Sequence, residues 1–168
     1  MAHGDLAPSP WVVRWAPLIT HGTVLDVACG AGRHARFFLG RNLNVVAVDR
    51  DLQVIPGARF IQADLEDGSP WPLPGEQFEG VVVTNYLNRG IFPEILQSLK
   101  PGGVLIYETF MLGNERFGKP SNPRFLLRPG ELRDAFKELT VKGYEEGEVA
   151  EPKPSMIQRL CAVRAGKG

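Results

Sequence analysis

Three aspartates and two glycines hold the plainest chemistry in the sequence. Asp49 ends the apolar run "NVVAVD" and Asp64 ends "RFIQAD", so two carboxylates stand at the same edge of one sheet. A carboxylate there can accept paired hydroxyls or the edge of a base. Gly30 and Gly32, in "ACGAGRHA", make a bend where a ligand can approach the backbone with no side chain in the way. Gly30-Ala31-Gly32-Arg33-His34-Ala35 even fits the G-x-G-x-x-A dinucleotide pattern, with Asp49 placed to hold a ribose. Asp26 disturbs that reading. It lies inside the preceding apolar run, four positions before Gly30, where its charge would oppose a pyrophosphate and suit a cationic ligand. The plain structural alternative for Asp49 and Asp64 is a strand-end cap.

The elements that position these residues follow from periodicity. Residues 23–28 read as a buried parallel strand, 33–41 as a helix with Ala35, Phe37 and Phe38 inward, and 44–49 as a second strand. Together they form one nucleotide-binding βαβ unit. Ahead of it, Ser9 as N-cap and Pro10 at the first helical position open a short amphipathic helix carrying Trp11, Val12, Trp15 and Leu18. That helix covers a sheet face, or one of its tryptophans lids the ligand pocket. Residues 1–8 are expected to be frayed.

After Asp49 the segment "RDLQVIPGA" is too short for a helical crossover, so at most one turn fits near residues 51–54 and the sheet edge is thinly covered. Residues 59–64 are the third strand. The following "EDGSPWPLPGEQFE" reads as a loop pinned by Trp71 and Phe78. Residues 80–87 are a central strand; "IFPEILQSLKPGG" is a helix with Pro93 near its start and "KPGG" as its stop; 103–110 is the fifth strand. A long polar loop leads to a helix from about Pro129, with Glu131 in its first turn. Residues 140–148 and 156–164, joined by "AEPKPS", should pair antiparallel. No internal repeat or second domain is visible, so residues 1–168 read as one domain.

Composition excludes several classes. The chain has 19 basic and 19 acidic residues, which gives no general attraction to nucleic acid or anionic lipid. No apolar run is long enough to span a membrane, and "MAHGDLAPSP" lacks the pattern of a signal peptide. Cys29 and Cys161 lack metal-ligand spacing, so no metal is expected and a reduced, cytoplasmic chain is the simplest reading.

An acid suited to a cation, and an antiparallel ending in place of a second mononucleotide-binding half, point to S-adenosylmethionine, with its ammonium and sulfonium. The segments "VLDVACGAGRHA", "VVAVDRD", "QADLED", "VVVTNYL" and "LKPGGVLIYETF" resemble, in order and spacing, the motif series of the class I S-adenosylmethionine-dependent methyltransferases. The resemblance covers about residues 9–164. The tail of the series is most similar to a bacterial branch near the tellurite-resistance and thiopurine methyltransferases. The resemblance implies an α/β Rossmann-like sheet of seven strands in order 3-2-1-4-5-7-6, strand 7 antiparallel, here with its crossover after strand 2 shortened.

Carried over by motif, the resemblance places Asp26, through its carboxylate or a water, facing the ammonium, and the backbone of Ala28, Gly30 and Gly32 along the methionine portion. It places Asp49, with Arg50 beside it, on the ribose, and Asp64 and Leu65 at the adenine edge. Asn85, Tyr86 and Leu87 stand below the sulfonium, and S-adenosylhomocysteine is the implied product. Transfer would be a direct in-line displacement, with the acceptor held by Tyr86, Tyr107, Glu108 and the loop after Phe110. Glu108 is the candidate base or acceptor-orienting acid; simple packing is the alternative for Tyr86.

Departures narrow the acceptor. "TNYL" lacks the prolines of an NPPY-like motif, and no Pro-Cys pair supplies a thiolate for cytosine methylation. Cys29 reads as a small packing residue, His34 as a surface or capping residue, and His21 as having no role. The loop after Phe110 holds Arg116, Lys119, Arg124 and Arg128 against Glu115. Arg116 and Lys119 either recognise an anionic acceptor or belong to a solvated connector. A small-molecule acceptor is therefore favoured over nucleic acid. The rival readings are a cofactor-binding module acting through a partner and, further off, a nicotinamide enzyme.

Overall fold

The computed structural model describes residues 7–166. Seven strands form one sheet: β1 Thr23–Val27, β2 Asn44–Asp49, β3 Arg59–Gln62, β4 Phe78–Thr84, β5 Leu99–Phe110, β6 Thr140–Val149 and β7 Ser155–Val163. Their order is β3-β2-β1-β4-β5-β7-β6. The first five run parallel in their pairings, and β7 lies antiparallel between β5 and β6. Both features agree with the expected fold. The register sets Asp26 opposite Ala47 on one side and Val82 on the other, so this acid sits within the central strands.

Two apolar layers hold the sheet. Leu25, Val81, Leu105 and Tyr107 face one layer, against Ile95 and Phe136; Val24, Val82 and Ile106 face the other, against Trp11 and Phe38. Consecutive residues of the central strands thus supply opposite faces, and both faces are dry. That is why β1, β4 and β5 read as continuous apolar runs and not as alternation. Truncating a fully buried ring such as Phe38 to alanine costs about 3–5 kcal/mol in such a core.

The helices are short: α1 Pro10–Trp15, α2 Arg33–Leu39, α3 Phe92–Gln97 and α4 Glu131–Ala135. Ser9 caps α1 by accepting the Trp11 N–H, with Pro10 in the first turn. Trp11 does not lid a ligand pocket. Its indole N–H donates to the Leu160 carbonyl of β7 at 3.2 Å, and its ring meets Trp15 edge to face. α1 is cover for the sheet, the plainer of its two readings. Expected residues 1–6 of the frayed segment lie outside the described residues; Ala7 is held by Arg33, whose Nη1 donates to its carbonyl at 3.2 Å.

Between β2 and β3 no helical turn forms; the chain runs as open coil to a turn at Pro56 and Gly57. Ile55 is buried there, while Leu52 and Val54 stay 71% and 83% exposed, so this edge is covered by one side chain. The loop before β4 is anchored more deeply by Leu73, fully buried, than by Trp71, which stays half-buried. Lys100 to Gly102, read as a helix stop, instead open β5, and the helix before them is replaced at its start by a 3-10 turn, Arg89–Ile91.

Candidate active site

The carboxyl ends of β1, β2 and β4 meet at one cleft of about 630 Å³. Ala28 and Gly30 border it from β1, Asp49 and Arg50 from β2, Asp64 and Leu65 from the segment after β3, and Asn85, Tyr86 and Leu87 from β4. Nine of the expected cofactor residues therefore share one cavity, which is where ligands bind in open parallel sheets. Thr109, Phe110, Pro120 and Phe125 also border it.

The bend is built by backbone conformations that few residues accept. Ala28, Gly30 and Gly32 have φ of +56°, +54° and +95°. A Cβ on Gly30 would meet nothing within 4 Å, so its bareness serves the open cleft. A Cβ on Gly32 would lie 2.8 Å from Ile55 Cδ1, so its bareness serves packing. Asn85, at the end of β4, also has a positive φ, +54°, and its N–H donates to the Glu108 carbonyl at 2.9 Å. Two non-glycine residues in the left-handed region, on neighbouring strand ends that line one cleft, mark a site held at a cost of roughly 1 kcal/mol or more each.

Asp49 accepts the Gly30 N–H at 3.1 Å and the Asp51 N–H at 3.0 Å, one on each oxygen. Asp64 Oδ1 accepts the Glu66 N–H at 2.9 Å. Both carboxylates thus act as local caps, yet each oxygen has lone pairs to spare and both side chains border the cleft. Asp26 is 1% exposed and lies beneath the bend, outside the cleft lining. Burial raises its carboxyl to about 7, against the opposing pull of the Ala35 N–H and the Arg33 charge. Its Oδ2 has no hydrogen-bond partner among the described residues. An unpartnered buried carboxylate oxygen next to a bare bend fits an ammonium group.

The expected acceptor residues are not all brought together. Tyr86 borders the cleft; its hydroxyl lies 3.4 Å from Glu66 Oε2, and burial raises it to about 12. Tyr107 does not reach the cleft. It is fully buried, donates its hydroxyl to the Tyr86 carbonyl at 2.9 Å and packs on Phe92 and Phe136. Glu108 points to the opposite face of β5, toward α1. It is 8% exposed, accepts the Ser9 hydroxyl at 2.7 Å and pairs with Arg159 at 2.5 Å, so both oxygens are spent on the scaffold. Alternation along β5 turns Glu108 away from the face that Tyr107 and Thr109 share, and of these two only Thr109 borders the cleft, because Tyr107 is held in the core by Phe92 and Phe136. Arg116 stacks on Phe117 and Lys119 is exposed; neither borders the cleft, whereas Pro120 and Phe125 do.

His34 is neither surface residue nor simple cap. It is 2% exposed; Nε2 accepts the Ser9 N–H at 3.0 Å and Nδ1 lies 3.3 Å from Thr84 Oγ. Burial lowers it to about 3, so the ring is neutral and carries its proton on Nδ1. Ser9 thereby joins α2 to β5, and His34 extends the link to Thr84 at the end of β4, a junction that helical spacing alone could not disclose. Cys29 is a packing residue, as expected: burial pushes its thiol up to about 12, which leaves no thiolate.

Fold, cleft and motif series are similar to those of the class I S-adenosylmethionine-dependent methyltransferases. Residues 24–103 match the family model described as a methyltransferase domain. A trans-aconitate 2-methyltransferase of Azoarcus sp. (strain BH72) is 29% identical over 125 residues, 68% of this chain and 47% of the relative, so the chain spans about half that relative's length. TehB from Haemophilus influenzae superposes with a TM-score of 0.76 at 18% identity, over 96% of this chain and 64% of that one. The Burkholderia thailandensis 1,6-didemethyltoxoflavin-N1-methyltransferase, solved with 1,6-didemethyltoxoflavin and S-adenosylhomocysteine bound, gives 0.65 at 18% identity, over 92% and 76%. These two structures share the fold with this chain. Among the described residues, no helix is long and apolar enough to cross a membrane, and no group of acidic, histidine or cysteine side chains could hold a metal.

Proposed function

We propose that the domain transfers a methyl group directly to a small-molecule nucleophile held at the Thr109, Phe110 and Phe125 end of the cleft. What supports this reading is the continuity of one cavity, from the Asp49 carboxylate to the loop after β5. Asp26, through its carboxylate or a water, faces the ammonium of the cofactor, and the backbone of Ala28, Gly30 and Gly32 lies along its methionine portion. Asp49 accepts the ribose hydroxyls with Arg50 beside it. Asp64 and Leu65 meet the adenine edge, and Asn85, Tyr86 and Leu87 line the floor nearest the transfer.

The cofactor brings a sulfonium methyl that is already activated, so alignment and exclusion of water are the protein's share of the work. Tyr86, raised to about 12, is a poor base and a good hydrogen-bond donor, so its role is to orient the acceptor. Phe110, Pro120 and Phe125 form an apolar end that keeps water from the path of displacement. The small-molecule acceptors named for the Azoarcus and Burkholderia relatives favour an acceptor of that size over nucleic acid. Both cysteines are unpaired, which suits the reducing cytoplasm.

Calorimetry with S-adenosylmethionine, S-adenosylhomocysteine and NADH, followed by methyl transfer to a panel of amine, thiol, oxyanion and tRNA acceptors, tests the proposal. Binding of the first two ligands and turnover of a small acceptor are expected. Binding without transfer to any acceptor would leave a module that works through a partner; preference for NADH would overturn the reading entirely.

A further inference from the structure

A second cavity, of about 450 Å³, lies beside the cofactor cleft. Leu65, Glu66, Leu87 and Phe125 border both, so a ligand in one is in reach of the other. Trp71 and Glu94 line this cavity and do not border the cleft.

The charges around it are unequal in what they can still bind. Arg89 borders the cavity but is committed elsewhere: Nε and Nη2 hold the two oxygens of Glu131 at 2.5 and 2.9 Å, while Nη1 and Nη2 reach the carbonyls of Arg124 and Leu126. Arg124 is exposed, its guanidinium carbon 5.5 Å from the centre of the Phe125 ring. The two acids are less committed. Glu66 receives at most a long bond from Tyr86, and Glu94 Oε2 is buried with no partner among the described residues. A buried carboxylate oxygen without a donor is costly, so the arrangement favours a ligand that brings one. Beside it the half-buried Trp71 offers an indole face, which attracts organic cations.

We propose that this second cavity holds a protonated amine of the acceptor, with its charge on Glu94 and Glu66 and its carbon frame on Trp71. The inference rests on reading the neighbouring cleft as the place of transfer. It departs from the expectation of an anionic acceptor drawn from Arg116 and Lys119. A carboxylate in this cavity would face two acids and find one rim arginine.

The test uses the three tryptophans of the chain as reporters, with indole ¹⁵N resonances and the Trp71 signal assigned by Trp71→Phe. With S-adenosylhomocysteine bound, the full chain is titrated with 2-phenylethylamine, 2-phenylethanol and 3-phenylpropionate, which share a ring and differ in charge. The amine is expected to shift the Trp71 resonance saturably and to bind at least about fivefold tighter than the other two. Glu94→Gln should weaken it by about tenfold, and Glu66→Gln by about threefold, with homocysteine-cofactor affinity unchanged in Glu94→Gln. Glu66 decides the location, because Trp71 and Glu94 also border a separate depression of about 440 Å³ and Glu66 does not. Equal or tighter binding of the propionate, or an amine affinity within twofold in both variants, overturns the proposal. Failure of S-adenosylhomocysteine to bind at the start would instead sink the methyltransferase reading, and calorimetry records that separately.

Discussion

Asp49 Oδ1 accepts the Gly30 backbone N–H at 3.1 Å, so the carboxylate at the end of β2 ties down the bend that follows β1. Oδ2 does the same for the Asp51 N–H. One side chain thereby sets the height of the cleft floor and keeps lone pairs for two ribose hydroxyls. Asp49→Ala is expected to lower S-adenosylhomocysteine affinity by about 100-fold, the loss of two hydrogen bonds to a charged group at roughly 1.5 kcal/mol each. Asp49→Asn should fall between the two. Calorimetry checks this, and an affinity within about threefold of the parent would remove the ribose role and leave a cap.

Asp26 should couple cofactor affinity to pH. Its carboxyl, raised to about 7 by burial, is largely protonated in mildly acidic solution, whereas a cationic group above it requires the ionised form. Affinity should therefore decline as pH falls below about 7, approaching tenfold per pH unit, and Asp26→Asn should bind weakly with a flat profile.

Stability runs the other way. The folded value lies above the ordinary 3.8, so the unfolded chain loses this proton first, and the stabilising share present below 3.8 is lost as pH rises to about 7. Asp26→Asn should thus be more stable than the parent near pH 8, by on the order of 2 kcal/mol, and no more stable near pH 4. Urea denaturation at the two pH values decides it. A variant that is destabilised at both would show that the buried acid is structurally required.

The strand order, the bend and the acids at strand ends were legible because each is a local signal: an apolar run, a glycine, a terminal carboxylate. The positions of Tyr107 and Glu108 were not. At the carboxyl end of a strand covered on both faces, adjacent residues are equally apolar in surroundings, so the sequence does not say which one turns toward the cleft. Ser9 joining His34 to Glu108 spans contacts between residues 25 and 99 positions apart, beyond any periodicity. The lone Oδ2 of Asp26 and the lone Oε2 of Glu94 were unreadable for the same reason: a missing partner is a property of packing.

Glu108, placed on the scaffold face, leads to an outcome opposite to that of a base. Glu108→Gln keeps an acceptor for Ser9 and removes the charge that pairs with Arg159, which retains Glu145 at 3.2 Å. Stability is expected to fall by about 1–3 kcal/mol. Turnover per folded molecule should stay within about threefold once an acceptor is found, since the carboxylate does not border the cleft. A loss of about 100-fold at unchanged stability would restore the catalytic assignment.

The two glycines of the bend should separate binding from packing. Gly30 and Gly32 both have positive φ, so alanine strains the backbone at either, by about 1 kcal/mol. Only at Gly32 does the added methyl also collide, at 2.8 and 2.9 Å, with Ile55, the buried side chain that covers the thin edge after β2. Gly32→Ala should therefore cost about 2–4 kcal/mol of stability, strain and overpacking together. Gly30→Ala meets open space, and that space is the cleft. It should cost near 1 kcal/mol in stability yet weaken cofactor binding by tenfold or more, because the methyl stands where the ligand approaches the backbone. Thermal denaturation and calorimetry on both variants check the pair. If Gly30→Ala binds the cofactor as tightly as the parent, the ligand does not lie over this bend, and the alignment of Asp26 with its ammonium fails with it.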